Sequence, residues 1–348
     1  MEAAVQELLH DFFQETSVRP EENDIDAPLK RLVEDVESGS SVLKRDLQRL
    51  LEKDPGAFLQ SACRILKVSA RSAGAAPLLD LLWSNPLLLT SLIDPSTMSL
   101  PTATALAKRW VVFDPMLDIK LLQIGFPLGE DDEFCVVDVN LVRPKRALDI
   151  VTELPPNRHA LLALAKLLRS PEPYIRSKAA LLYARASKNP DWVRKMLGEP
   201  DARVRANAVE GLWEVRSPFA VAVFKEAALD PNHRVAANAL IGLHYSGAVD
   251  EAVTDRLQSM TQSADSLARA AAAFVLGHIM DANSTPVLET LLRDHNQDVR
   301  GQALHALLRI RRRDRPEDAS VAETVPAPSA GALEHPAPQK PLPADLNR

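Results

Sequence analysis

Between Glu172 and Leu307 the chain repeats itself five times. The unit is a polar cap, two residues, an apolar anchor, usually an arginine, two residues, an alanine and, four residues on, usually a leucine. It reads Glu172…Ile175-Arg176…Ala179…Tyr183, then Asp201…Val204-Arg205…Ala208…Leu212, then Asn232…Val235-Ala236…Ala239…Leu243. Asp265…Ala268-Arg269…Ala272…Leu276 and Asn296…Val299-Arg300…Ala303…Leu307 complete the set. The anchors lie 29, 31, 33 and 31 residues apart. A period in this range marks stacked supersecondary units, each too small to bury its own apolar face. Composition agrees: 12 glycines in 348 residues are too few for the turns of a many-stranded barrel or sandwich, and 46% hydrophobic residues can form a core. An all-α chain is expected.

Each part of the unit has a physical reason. Glu172, Asp201, Asn232, Asp265 and Asn296 stand where side-chain oxygens accept from the free N–H groups of a helix start. The anchor, the alanine four residues on and the residue four beyond that share one helical face. Alanine in all five copies predicts a close approach between helices. A second amphipathic helix precedes each unit. Several open with a cap and a proline at the first helical position: Asn189-Pro190, Ser217-Pro218 and Thr285-Pro286. Each period therefore reads as a helical hairpin.

Three regions are expected. Residues 1–154 are helical but irregular, read as degenerate repeats, with candidate helices at Ala4–Glu15, Ala27–Val36, Val42–Leu51, Pro55–Leu66, Pro77–Leu82, Thr102–Val111, Pro115–Leu122 and Pro144–Thr152. Asp54-Pro55, Asp94-Pro95 and Asp114-Pro115 repeat the cap-proline device. Glu130–Asp132 and the following Phe134–Val137 break the pattern as a loop or short extended segment. Residues 155–313 form the repeat domain. Residues 314–348 are rich in proline and alanine without hydrophobic periodicity, and read as a disordered tail.

The stretch Asp201–Leu212, Asp-x-x-Val-Arg-x-x-Ala-x-x-x-Leu, resembles the HEAT-repeat family, in particular its short, roughly thirty-residue phycobilisome-lyase type. The resemblance covers about 155–310. It implies an armadillo-like α-solenoid that binds other proteins. Ala236 replaces the usual arginine and is expected to interrupt a charge ladder along the stack.

Signals of catalysis are missing from the sequence. It contains no Gly-Lys-Ser or Gly-Lys-Thr phosphate loop and no Gly-x-Ser-x-Gly elbow. Cys63 and Cys135 lack metal-ligand spacing. Helical-repeat di-iron hydroxylases carry His-Glu pairs, and none of the eight histidines precedes a glutamate. No cofactor or metal is expected. The net charge of −6 argues against wholesale nucleic-acid binding. No membrane span or signal peptide is visible, and two lone cysteines suit a reduced, cytoplasmic setting.

Arg176, Arg205, Arg269 and Arg300 read as a structural ladder, with Glu172–Arg176, Asp201–Arg205 and Asp265–Arg269 as i, i+4 pairs. Asn207 and Asn238 occupy matching positions and are expected to join it. The repeat histidines read as isolated polar helix residues; His244 and His278 are closest in register, and the alternative brings them near each other across adjacent repeats. Arg309, Arg311, Arg312, Arg313 and Arg315 read as a polar cap on the last helix.

Function in a solenoid concentrates on its concave face. At 100° per residue, the face opposite the core falls near offsets two, six, nine and ten from each anchor. There stand Glu210, Trp213, Ile241, Tyr245, Phe274 and His278, apolar groups with a few polar ones, which is the composition of a protein-docking hot spot. The expected function is a non-catalytic scaffold holding a protein or peptide there. The alternative is a helical-repeat enzyme resembling a chromophore lyase.

Overall fold

The computed structural model describes residues 24–34, 41–55, 57, 58, 61, 62, 65, 78, 81, 86–127 and 141–314, and among these every regular element is helical. The helix expected at Ala4–Glu15, the segment 130–137 and the tail beyond Asp314 lie outside the described residues. Residue contacts divide the chain into two compact units, 1–169 and 170–348.

In the first unit, α1 spans Asp26–Glu34, α2 Ser41–Lys53, α3 Pro86–Ile93, α4 Leu100–Phe113, α5 Leu117–Gly125, α6 Val142–Thr152 and α7 Leu161–Leu167. The helix α3 is not among the expected ones, because the run Leu87-Leu88-Leu89 shows no 3.6-residue alternation to follow. Asp94-Pro95 opens a turn before α4 rather than a helix: Asp94 Oδ1 accepts from the Ser96 amide at 2.9 Å. The helix α6 packs against α3, α4 and α5. Its buried Arg146 donates through Nε to the Leu92 carbonyl at 2.8 Å and through Nη2 to those of Met98 and Ser99 at 2.7 and 3.1 Å. One guanidinium thus satisfies three carbonyls left over where α3 ends and the following turn runs.

The second unit is the solenoid. Its helices are α8 (Pro173–Ser187), α9 (Pro190–Met196), α10 (Ala202–Glu210), α11 (Pro218–Ala227), α12 (His233–Tyr245), α13 (Glu251–Thr261), α14 (Ser266–Ile279), α15 (Thr285–Leu291) and α16 (Gln297–Asp314). The anchor-bearing helices α8, α10, α12, α14 and α16 pack in consecutive order as one row, and α9, α11, α13 and α15 cover its back. Asp201, Asn232, Asp265 and Asn296 accept from backbone amides at their helix starts. Glu172 makes no such side-chain bond, and Ser284 rather than Thr285 holds the cap position of α15. All five anchors and the alanines four residues on are buried. Offset two is buried in the first four copies, where Ser177, Ala206, Ala237 and Ala270 lie against neighbouring helices of the row, and half-buried in the fifth, at Gly301.

Close approach is enforced by glycine as well as alanine. A Cβ on Gly242 of α12 would sit 2.5 Å from the Phe224 ring of α11.

At Arg205 and Arg269 the arginine ladder links one repeat to the next. Arg205 pairs with Asp230 of the next repeat, Nε to Oδ2 at 2.8 Å and Nη2 to Oδ1 at 3.0 Å, and its Nη1 donates to the carbonyls of Glu199 and Pro200. Arg269 makes the same contacts with Asp294, Ser263 and Ala264. Arg176 donates to the Ser170 and Pro171 carbonyls and reaches Asp201 at 3.6 Å; Arg300 donates to those of Asp294 and His295. Arg205 pairs with Asp230 rather than with Asp201 four residues back, because its guanidinium is turned toward the carbonyls just ahead of its helix and from there faces the following repeat. At the interrupted position Ala236 is buried, and His233 Nε2 meets Asp265 Oδ2 across the same junction at 2.8 Å.

Candidate functional site

The row of anchor-bearing helices has one side turned away from the covering helices, here termed the inner face. Offsets six, nine and ten fall on it. Trp213 follows α10, Tyr245 ends α12, and Phe274 and His278 stand on α14. All four are half-buried, and they form one cluster. The Trp213 ring meets Tyr245 edge-on at 5.9 Å and His278 at 5.3 Å; Phe274 lies 4.5 Å from His278. The Tyr245 hydroxyl lies 3.3 Å from His278 Nδ1. His244 stands 5.9 Å from Tyr245, ring to ring, and the residue that meets His278 from the preceding repeat is Tyr245, so His278 is not an isolated polar residue.

Hydrogen bonds beneath the cluster hold it in place. Trp213 Nε1 donates to the Asn238 carbonyl at 2.7 Å. The Asn238 side chain is fully buried, and its Nδ2 donates to the Ala206 carbonyl at 2.9 Å and to Glu210 Oε2 at 3.3 Å. Asn207 repeats the motif one repeat earlier: Nδ2 donates to the Ser177 carbonyl at 2.9 Å, and Oδ1 accepts from Arg234 at 2.9 Å. The two asparagines thus form an amide ladder of their own on the inner side, separate from the arginine ladder.

The electrostatics follow from this burial. Burial pushes the Glu210 carboxyl above its ordinary value, against the pull of Arg234, Lys178, Arg185 and the Asn238 amide. Burial, with the positive Arg309 as the lesser cause, holds His278 down at about 4, so the ring is neutral at pH 7. Burial also raises the Tyr245 phenol, which stays protonated.

The six residues expected to dock a partner therefore divide. Trp213, Tyr245, Phe274 and His278 come together. Glu210 lies beside them as part of the amide ladder. Ile241 is fully buried and offers no accessible surface, because neighbouring helices of the row close over it. Arg309, expected in the polar cap with the terminal arginine run, stands instead ten residues after its anchor, in register with Tyr245 and His278, and is half-buried. Its offset was the available signal. The exposed Arg311, Arg312 and Arg313 do sit in the last turn of α16, where Arg313 donates to the Met280 carbonyl at 2.6 Å.

Elsewhere in this unit a cleft of about 680 Å³ opens between α12, α13 and α14, walled by Val253, Leu257 and Ile279. Among the described residues no group of three histidine, cysteine or acidic side chains is placed to hold a metal. No helix among them is long and apolar enough to cross a membrane.

Stacked helical hairpins joined by arginine and asparagine ladders define an α-helical repeat protein. The family model of HEAT repeats matches residues 160–244 and 253–324. No curated protein matches it. Among solved structures, human deoxyhypusine hydroxylase in complex with glycerol is similar at 13% identity, covering 89% of this chain and 98% of that one with a TM-score of 0.34. A likeness at that score says nothing of this chain's activity.

Proposed function

We propose that this chain is a non-catalytic adaptor, working in the cytoplasm, that holds a protein or peptide on the inner face of its HEAT repeats. The observation that carries the reading is the Trp213–Tyr245–Phe274–His278 cluster. Four rings remain partly open to solvent on a face that packing could have closed, as it closed over Ile241. Their positions are fixed by ring contacts and by the Trp213–Asn238 bond, so a partner meets a preorganised surface with little side-chain entropy left to lose. Large aromatic side chains of this kind dominate the energetics of protein interfaces.

The test is capture by the tagged full-length chain from its native cells, set beside the Phe274→Asp variant. Loss of the captured protein, with helical circular dichroism and melting temperature kept, is the expected result. Capture that is indifferent to Phe274→Asp overturns the reading, as does steady turnover of a substrate by the purified chain.

A further inference from the structure

On the inner face of the last three repeats the charges are one-sided. The helices α12 and α14 contain no aspartate or glutamate, and α16 contains only Asp298, in its first turn, and Asp314, its last residue. Asp281, in the turn after α14, accepts from the Asn283 amide at 2.9 Å. Glu210, one helix before α12, is held by the Asn238 amide. Against this stand Arg309 and the histidines 244, 278 and 305. Arg309 makes no hydrogen bond or ion pair with any described residue, although it is half-buried. Arg205 and Arg269, by contrast, are each saturated by a carboxylate and two carbonyls.

Tyr245, His278 and Arg309 occupy offset ten on three adjacent helices, so they form a row across this face. In the tautomer in which the Tyr245 hydroxyl donates to Nδ1, the neutral His278 ring carries its proton on Nε2. That nitrogen has no partner among the described residues. In that tautomer the row offers a donor N–H and an unpaired guanidinium beside the Phe274 and Trp213 rings. A planar fork of N–H donors fits a carboxylate, and partial burial strengthens the pairing.

We propose that the His278–Arg309 end of this row is a carboxylate subsite, and that the partner it holds is an acidic peptide segment. A glutamate or aspartate side chain of that segment pairs with Arg309 and His278 Nε2, while an adjacent apolar side chain packs on Phe274 and Trp213. This rests on the docking reading above and names the chemistry of the partner through charge complementarity.

The probe is a labelled peptide, blocked at both ends, that alternates glutamate and phenylalanine. Its glutamine and lysine counterparts, and the glutamine peptide with a free C-terminus, are the controls. By fluorescence anisotropy with the full chain, the glutamate peptide is expected to bind at least about tenfold tighter than the blocked glutamine peptide. Arg309→Gln removes that difference, Arg309→Lys restores part of it, and Arg311→Gln on the exposed side leaves it unchanged. The His278 ring resonances shift with the glutamate peptide only. Equal binding of glutamate and glutamine peptides, selectivity that survives Arg309→Gln, a preference for the free C-terminus, or no binding by any probe overturns the subsite. If Phe274→Asp still abolishes partner capture in those cases, the docking surface stands without it. If Phe274→Asp does not, both readings fall.

Discussion

Arg269 and Asp294 meet side by side across the junction between the fourth and fifth repeats, Nε to Oδ2 at 2.6 Å and Nη2 to Oδ1 at 2.9 Å, with about 9% of each side chain exposed. The Arg269 hydrogen bonds hold the Asp294 carboxyl down at about 2, below its ordinary 3.8. A carboxyl whose folded value is depressed adds stability above its ordinary value, and that stability is lost as the pH falls from about 4 toward 2. Removing Arg269 leaves the buried Asp294 carboxylate with only the Asn296 amide at 2.8 Å and His295 Nδ1 at 3.4 Å. Arg269→Met is therefore expected to cost about 3 kcal/mol at pH 7, read by chemical denaturation. Asp294→Asn is expected to flatten the fall in melting temperature between pH 4 and pH 2.

Glu210 has the opposite sign. Its folded carboxyl is raised by burial, so the folded state holds its proton to higher pH than the unfolded chain does. Stability then declines as pH rises through the ordinary carboxylate range and beyond. Glu210→Gln keeps an acceptor for the Asn238 amide and removes the charge. The melting temperature of the variant relative to wild type is expected to increase from pH 4 to pH 7. A constant difference across that range would show that the carboxylate is fully repaid by Arg234, Lys178 and Arg185.

Gly242 is required by space rather than by backbone angle. Its Cα faces the Phe224 ring, and the three ring atoms nearest an added Cβ would lie 2.5, 2.6 and 2.7 Å from it. Because that ring is itself fully buried, it has no solvent-side rotamer to retreat to. Gly242→Ala is expected to cost about 1–3 kcal/mol despite the better helix propensity of alanine. Phe224→Leu in the same chain should recover part of the loss.

The repeat register was legible because an amphipathic helix writes its buried stripe at a fixed spacing, and the stripe recurs with every stacked hairpin. Anchors, small residues at close approach and four of the five caps follow directly from that spacing. What one helix taken alone cannot reveal is its neighbour. Offset two pointed away from the covering helices, yet Ala206 and Ala237 are buried by the helices beside them in the row. Arg205 seemed to belong to Asp201 four residues back, until folding brought Asp230 of the next repeat within 2.8 Å. Ile241 failed as a docking residue for the same reason, whereas Trp213, Tyr245, Phe274 and His278 lie where neighbouring helices leave a gap. Arg309 was hidden by its company: within a run of arginines, composition suggested an end cap, while the offset from Val299 placed it beside His278.

The His278 ring reports on that placement directly. Burial is the larger cause of its low folded value and the Arg309 charge the smaller. A histidine depressed from 6.5 to about 4 stays neutral in the folded chain while the unfolded chain takes up a proton, so stability falls as the pH drops through this window. An NMR titration of the full chain is expected to place the His278 midpoint near 4. In Arg309→Gln the midpoint should rise but stay below 6.5, because burial is untouched. In Tyr245→Phe the Nδ1 contact is lost while the ring stays covered, so the ring should remain neutral at pH 7 and only its tautomer balance should change, read from the ring nitrogen shifts. A midpoint unmoved by Arg309→Gln would separate Arg309 from the cluster and return it to the end cap.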